Sequence, residues 1–391
     1  MEYIRVGVIG VGNIGSAHAA AIKEGKVNGM KLTALCDISK EKLDRLSQKY
    51  NECKSFDDYK KLIDSKETDA VIISVPHKMH TEIGIYALKH NNHVLIEKPV
   101  DISVSAAKEI NDVASKTDKT FALMLNQRTN FLFNKAREIV KSGKLGNLKR
   151  SVWIITNWYR SQNYYDSGSW RATWCGEGGG VLLNQAPHNL DIWQWICSMP
   201  KYITAFCEEG KYHNIEVEDD ATIFAQYENG ATGTFITTTG EYPGTNRLEI
   251  SGELGKLVLE KGVLKWWKLS ENEREVCYTS KEGFPSVEYE YTEIEDEDKE
   301  SGHIRIMQNF TNHILNGEEL ISPGGDGINE LTISNAAYLS AWNNNKKIEI
   351  PFDPELFDKL LKDKMMNSKY LDKESMINHS KEYSKRWRVN W

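Results

Sequence analysis

Short apolar runs alternate with amphipathic stretches over the first 150 residues. Ile4–Ile9, Leu32–Cys36, Ala70–Val75, His93–Ile96 and Phe121–Leu125 are continuously apolar or nearly so. Between them the spacing predicts a helix after Gly15, then helices over Ser39–Tyr50, Tyr59–Ser65, Met79–Asn91 and Ser103–Lys116. Ser39 sits where an N-cap belongs, and Leu43 and Leu46 form the apolar stripe of its helix. Unbroken apolar strands separated by helices describe a parallel sheet buried on both faces.

The pattern changes near Leu148. From there to about Tyr291 the apolar positions alternate, with β-branched and aromatic residues, in Lys149–Trp158, Ile203–Glu208, Thr222–Tyr227, Ala231–Thr239, Arg247–Ser251, Lys256–Leu259 and Val263–Leu269. Glu228-Asn229-Gly230 and Ser251-Gly252 read as hairpin turns. One helix near Gln185–Cys197 interrupts this sheet. Pro187 fits only a first turn, so that helix is expected to begin just after Gly178-Gly179-Gly180. Glu293–Glu300 reads as a solvated acidic loop, followed by helices over His303–Leu315 and Gly327–Trp342 and a strand at Ile348–Pro351. Pro354–Trp391 is polar and Lys-rich, an extension lying on the body or on a neighbouring subunit. The expected organisation is α/β: a doubly wound parallel sheet in residues 1–126, and an α+β domain in 127–351. The second domain carries a large, open, mostly antiparallel sheet at about 148–291. Residues 352–391 form the C-terminal extension.

At 391 residues, two cores are expected. A net charge of −7 with no basic stripe argues against nucleic acid. No apolar run approaches the ~20 residues that span a bilayer. Met1-Glu2-Tyr3 leads directly into the first strand, leaving no room for a leader, and the six cysteines form no CxxC pair. A reducing cytoplasm is expected. His77/His80 and His90/His93 have HxxH spacing without a third ligand nearby, so no metal site is expected.

The chemistry begins at Gly10-Val11-Gly12-Asn13-Ile14-Gly15, which follows the first strand and opens the first helix. In this setting GxGxxG is a dinucleotide fingerprint, the signature of a Rossmann domain. Gly10 permits the turn, and Gly12, Asn13 and Ile14 bring backbone N–H groups to a pyrophosphate. Gly15 lets helix and strand pack closely. Asp37 ends the second strand, where a carboxylate accepts bonds from ribose hydroxyls and repels a 2′-phosphate. NAD is therefore expected over NADP.

Glu97-Lys98-Pro99 follows the His93–Ile96 strand, so Lys98 stands at a strand carboxyl end, where nicotinamide and substrate meet in such sheets. Its ammonium can stabilise the alkoxide that forms as hydride leaves; the plainer alternative is a surface lysine at a strand end. Ser74, Val75 and His77 end the preceding strand in the same way. His80 either reaches the ribose or phosphate or is simply a helix-start histidine. In the second domain, Trp170-Arg171, Asn184-Gln185, His188 and Asp191 gather around the triple glycine. Asn184, His188 and Asp191 share one face of a helix whose other face is apolar, which is either a site or a solvent side. His188 is the candidate general base. Seven aromatic residues (Trp153, Trp158, Tyr159, Tyr164, Tyr165, Trp170 and Trp174) crowd before the glycines, offering ring faces to a pyranose or to the core.

Together, the Gly10–Gly15 fingerprint, Glu97-Lys98-Pro99, the triple glycine with His188 and Asp191, and the late Asp326-Gly327, Ala337-Tyr338 and Ser340-Ala341 segment carry a resemblance. It is to the glucose–fructose oxidoreductase/inositol dehydrogenase/rhizopine catabolism (Gfo/Idh/MocA) family, over roughly residues 3–351. The resemblance implies NAD(P)-dependent oxidoreduction of sugars or cyclitols, with Lys98 and His188 as the catalytic pair. It also implies a second-domain sheet that often forms an oligomer interface, here of a homodimer or homotetramer. Asn126 and Arg128 match positions beside the nicotinamide, although Arg128 could instead pair with an acidic neighbour. Many members carry aspartate where this chain has Asn184; an amide relays no proton, so the base role falls on His188. Trp170, Arg171, Asn184, Gln185 and Tyr338 are the expected contacts to the other substrate hydroxyls.

The expected activity is NAD-dependent oxidation of a secondary hydroxyl in a sugar, cyclitol or glycoside. Two alternatives stand beside it. One is transient oxidation on retained NAD, leading to glycoside cleavage, epimerisation or sugar–sugar hydride exchange. The other is a catalytically inactive sensor of NAD and sugar.

Overall fold

The computed structural model describes residues 3–168, 170–296 and 302–368. They form two compact units. The first runs to Thr129 and resumes from Gly302 to Leu331; the second holds Asn130–Asp296 and Thr332–Ser368.

The first unit carries a six-stranded parallel sheet built from β1 (Ile4–Ile9), β2 (Met30–Cys36), β3 (Lys54–Phe56), β4 (Ala70–Ile73), β5 (His93–Ile96) and β6 (Phe121–Leu123). Their order is β3-β2-β1-β4-β5-β6, and every neighbouring pair is parallel. The chain winds outward in one direction from β1 and then in the other from β4, the doubly wound arrangement expected. The central strands β1, β4 and β5 are largely apolar because both faces are covered. Val8, Ile72 and Leu95 lie in register on one face and Ile9, Ile73 and Ile96 on the other, all at most 2% exposed. Short β3 has only three residues and none is buried, which left no apolar run to announce it.

The helix Gly302–Asn316 belongs to this unit, although the sequence pattern counted it with residues 127–351. Its Ile306, Met307 and Phe310 join Ile4, Val6, Leu32 and Met124 in one core. Beyond it, Ser322 O accepts from Leu123 N at 3.1 Å and Pro323 bridges to Ala122, so the returning chain lies along β6.

The second unit holds a nine-stranded sheet of β7 (Leu148–Ile155), β8 (Tyr202–Glu209), β9 (Glu218–Gln226), β10 (Thr232–Thr238), β11 (Asn246–Gly252), β12 (Gly255–Glu260), β13 (Val263–Leu269), β14 (Tyr289–Glu295) and β15 (Ile348–Glu349). The order is β14-β13-β12-β11-β7-β10-β9-β8-β15, antiparallel except where β7 runs beside β10. One face is core: Trp153, Phe235, Ile223 and Leu264 are fully buried. The other face mixes polar and apolar side chains, with Thr204, Thr222 and Thr234 beside Phe206, Phe224 and Ile236.

The hairpin turn at Gly230 forms with φ of 86°, a left-handed conformation that glycine adopts without strain. Part of the expected acidic loop is instead strand, because Glu293–Glu295 pair with Val263–Lys265 across β13 and β14. The helices Phe131–Lys141 and Glu273–Thr279 were not foreseen. Of the expected extension, Pro354–Met366 is a helix that buries Phe357 and Leu361. Residues 369–391 lie outside the described residues.

Candidate functional site

The carboxyl edge of the parallel sheet collects most of the expected cofactor residues. Gly10, Asp37, Ser74 and Glu97 each follow directly the last residue of β1, β2, β4 and β5. The turn between β1 and its helix is shaped by contact. A Cβ on Gly10 would lie 2.5 Å from Ser74 O, and one on Gly15 would lie 1.9 Å from Gly10 O. Gly12 has nothing within 4 Å of its Cβ position, so the backbone there is open to an approaching group. The helix Asn13–Lys23 begins without a side-chain cap and without an acidic residue in its first turn. Its free N–H groups and dipole suit a phosphate. Ser74 Oγ donates to Gly10 O at 2.9 Å and so secures the turn. Asp37 is half-buried; it accepts from Val11 N and Ser39 N at 2.8 Å each, leaving lone pairs for hydroxyl donors. These residues fit a dinucleotide.

Lys98 follows Glu97 and is half-buried. Glu97 is nearly enclosed and meets His18 Nε2 at 2.7 Å. Burial alone would raise the Glu97 carboxyl, but the His18 bond and charge more than offset it and hold it at about 2. The His303 ring lies 5.7 Å from that of His18, and its Nδ1 is 3.3 Å from Asn126 Nδ2. Burial takes His303 down to about 4, leaving a neutral imidazole near neutral pH. His18 and His303 escaped the sequence reading because neither belongs to a motif. The only available hint was that His18 falls three residues after Gly15, on the inward side of its helix.

Two expected cofactor contacts have other partners. His80 is fully buried, with Nδ1 2.7 Å from Pro99 O and Nε2 2.9 Å from Val75 O. Both ring nitrogens thus face carbonyls of the loops after β4 and β5, and the single N–H of the neutral ring donates to one of them. Arg128 is 2% exposed and donates to Asp326 Oδ2 at 2.6 Å and to Ile321 O at 3.4 Å. The acidic-neighbour alternative describes it, since a guanidinium held inside by a carboxylate packs the returning chain. His77 opens a single turn, His77–Met79, directly after the β4 loop.

In the second unit the expected single helix is two. Val181–Asn184 forms one turn, and Pro187 begins a new helix, Pro187–Cys197, at its first position. Pro187 has no N–H and its ring would collide with the preceding turn, so the chain breaks at Gln185-Ala186. From Gly176 to Gln194 every residue is buried except Asn184 and His188. Asp191 does not join them: it is 1% exposed and accepts from Gln194 Nε2 at 3.0 Å. A solvent-facing stripe would expose all three, so the pair marks a local opening in a buried segment.

Around that opening, Tyr164 Oη receives Arg171 Nη1 at 2.9 Å and the amides of Asn184 and Gln185 at 3.4 Å each. The Arg171 guanidinium lies 4.7 Å from the Tyr164 ring centre and 4.6 Å from that of Trp170. Asn184 also donates to Glu177, a 3% exposed carboxylate that accepts from Ala172 N at 2.7 Å. Glu177 escaped notice among glycines, although a charge inside a buried glycine loop is a usable signal. Tyr338, expected as a substrate contact, is fully buried and donates to Glu218 Oε1 at 2.7 Å. Of the aromatic crowd, Trp153, Tyr165 and Trp174 are buried, Tyr159 is exposed, and Trp158, Tyr164 and Trp170 lie between.

Sheet order, turn chemistry and open helix N-terminus define a dinucleotide-binding domain of the Rossmann type. Residues 4–125 match the oxidoreductase family with an NAD-binding Rossmann fold, and residues 133–258 match the GFO/IDH/MocA C-terminal domain. The chain belongs to the Gfo/Idh/MocA family and is an NAD-dependent oxidoreductase. It is similar to myo-inositol 2-dehydrogenase of Thermotoga maritima, 24% identical over 342 residues that cover 85% of this chain and 95% of that protein. It is also similar to an alpha-N-acetylgalactosaminidase of Shewanella oneidensis, 27% identical over 194 residues, 46% of this chain and 42% of that one. Its fold matches the crystal structure of the WlbA dehydrogenase from Bordetella pertussis in complex with NADH and UDP-GlcNAcA. That match has a TM-score of 0.73 at 22% identity, covering 90% of this chain and all of that one. Among the described residues, no helix is long and apolar enough to cross a membrane.

Proposed function

We propose that this protein is a cytoplasmic dehydrogenase that oxidises a secondary hydroxyl of a sugar, cyclitol or glycoside. NAD, when bound, supplies the hydride acceptor. Gly10, Gly12, Asn13 and Ile14 hold its pyrophosphate, and Asp37 holds its ribose and selects against a 2′-phosphate. Ser74, Val75, His77, Glu97 and Asn126 shape the nicotinamide end. His188 takes the hydroxyl proton as hydride leaves the carbinol carbon, and the Lys98 ammonium stabilises the negative charge growing on the oxygen. Asn184, Gln185, Arg171 and Trp170 hold the remaining hydroxyls; Tyr338 supports them from the interior.

The observation that carries this reading is the opening of Asn184 and His188, four residues apart, from a segment that is otherwise buried. A base and a hydroxyl-binding amide set side by side suit a polyol. The similarity to a myo-inositol 2-dehydrogenase favours the same substrate class. The test is a panel of sugars, inositols and glycosides with NAD or NADP, followed at the NADH absorbance band. Turnover should require NAD and a polyol. His188→Ala and Lys98→Met should each abolish it while NADH binding survives, and undiminished turnover in both variants would refute the mechanism.

The similarity to an alpha-N-acetylgalactosaminidase favours a second reading. There the carbinol is oxidised to a ketone, and the adjacent carbon loses its proton as the glycosidic oxygen leaves and takes up a proton. Water adds to the resulting enone, and hydride returns to the same carbon; in the epimerising variant the centre is inverted before or as hydride returns. Substrate would then be consumed with no NADH accumulating.

A homodimer or homotetramer through the nine-stranded sheet fits its outer face. There Phe206 is 53% and Phe224 42% exposed, in register with Ile154, Ile236 and Val152. Light scattering should report two or four copies, and Phe224→Glu should lower that number.

A further inference from the structure

Glu218 stands at the start of β9, 1% exposed, with no part in the sequence motifs. Its Oε2 accepts from Gly180 N at 2.9 Å. Its Oε1 accepts from Leu182 N at 2.9 Å and from Tyr338 Oη at 2.7 Å. The carboxylate therefore caps the turn Val181–Asn184, taking N–H groups that a helix start leaves without an intrahelical partner. The triple glycine is cut to this shape. A Cβ on Gly180 would lie 1.9 Å from Glu218 O, and one on Gly179 would lie 2.4 Å from Tyr338 Oη.

The capped turn is bonded onward. Gly180 O accepts from Asn184 N at 2.9 Å, Val181 O from Ala186 N at 2.8 Å, and Ala186 O from Leu190 N at 2.9 Å. That ladder runs past both Asn184 and His188. Behind Glu218, Tyr338 is itself fixed: its ring stacks on Trp342 at 5.4 Å and 12°, and on Phe357 at 6.5 Å and 24°.

We propose that Glu218, oriented by Tyr338, is a positioning residue that sets where Asn184 and His188 stand in the dehydrogenase reaction. This rests on the reading of His188 as the base. A buried carboxylate with three donors has one geometry available, so the turn it holds inherits that geometry. Small displacements of a base are costly to turnover even when the fold survives.

The test uses the full chain with histidine labelled at Cε1, and Glu218→Gln, Tyr338→Phe and His188→Ala variants. The missing resonance of His188→Ala assigns the His188 signal. The assigned signal is followed through pH in the protein without added cofactor, with circular dichroism checking the fold. In Glu218→Gln the amide nitrogen faces the Gly180 N–H, so the His188 titration midpoint should move. With myo-inositol and NAD as the probe pair, kcat should fall at least about tenfold and KM change less. Tyr338→Phe should shift both in the same direction by less, and NADH affinity should hold in both variants.

A folded Glu218→Gln and a folded Tyr338→Phe that both keep the native His188 titration would overturn the proposal, whatever the activity. Unchanged turnover in His188→Ala would instead overturn the base assignment, and the resonance would still report whether Glu218 holds the turn.

Discussion

Asp326→Asn is the most direct probe of the ion pair that closes the first unit. The Arg128 side chain is 1% exposed and its Nη1 lies 2.6 Å from Asp326 Oδ2, while the Asp326 side chain is 39% exposed. Removing one partner of a fully buried pair costs about 3–5 kcal/mol, because the other charge stays inside uncompensated. Here the acid is partly solvated, and the Ile321 carbonyl remains at 3.4 Å, so the expected loss is about 2–3 kcal/mol. Arg128→Met/Asp326→Asn should recover about half of that, since no buried cation remains. Native-state amide hydrogen exchange over peptides spanning 121–129 and 320–331 measures the opening free energy where the pair acts. NADH fluorescence titration runs in parallel, and Arg128→Met should change the affinity by no more than about threefold, under 1 kcal/mol. Unchanged protection in Asp326→Asn would refute the reasoning. So would an Arg128→Met variant that keeps its protection and loses NADH, because Arg128 would then be a cofactor contact.

Gly15→Ala should unsettle the first turn and weaken NADH at least about tenfold, since the new methyl meets Gly10 O at 1.9 Å. Gly12→Ala should keep its melting temperature and still lose NADH, because that position is open in the protein itself; equal behaviour of the two would contradict the assigned roles. Asp37→Ser should lower the NAD-over-NADP preference by about 10- to 100-fold in steady-state kinetics, and an unchanged ratio would remove the role of that carboxylate. Burial lifts the Glu218 carboxyl from 4.5 to about 7. A raised carboxyl means that the fold favours the protonated form. Its contribution is complete below the ordinary value and is lost as pH climbs through about 7, amounting to about 3 kcal/mol at about 1.4 per pH unit. Urea midpoints from pH 5 to 8 should fall in the native protein relative to Glu218→Gln, and parallel curves would argue against it.

The parts of the fold visible in the sequence were those with period and punctuation. Continuous apolar runs marked β1, β2, β4 and β5, and the pattern placed the helix Gly327–Trp342 at its observed ends. Turn glycines gave the hairpin at Gly230. What escaped depended on partners distant in the chain. Exposed β3 is strand because β2 offers it an edge. Helix Gly302–Asn316 belongs to the first unit because Phe310 finds that core, a fact local spacing does not carry. The site followed the same rule. The glycine turn and Glu97-Lys98-Pro99 were legible as motifs, and the triple glycine was legible as a place but not as a cause. Its cause is Glu218 and Tyr338, 38 and 158 residues beyond Gly180. His80 and Arg128, each left between a cofactor contact and a scaffold role, and Tyr338, expected at the substrate, turn on a converse reason: a polar residue in a motif can serve the scaffold, and only its burial tells which.

The interrupted course of the first unit has a consequence for its birth on the ribosome. Residues Ile306, Met307 and Phe310, which finish its core, emerge roughly 180 residues after Thr129. At about 5–20 residues per second the opening segment waits on the order of 10–30 s for them. During that interval Val6, Leu32 and Met124 lack their covering helix, and the nascent chain presents a greasy patch that chaperones read. Chains arrested before Gly302 should be captured by ribosome-associated holdase chaperones, and chains arrested well after Leu331 should be released.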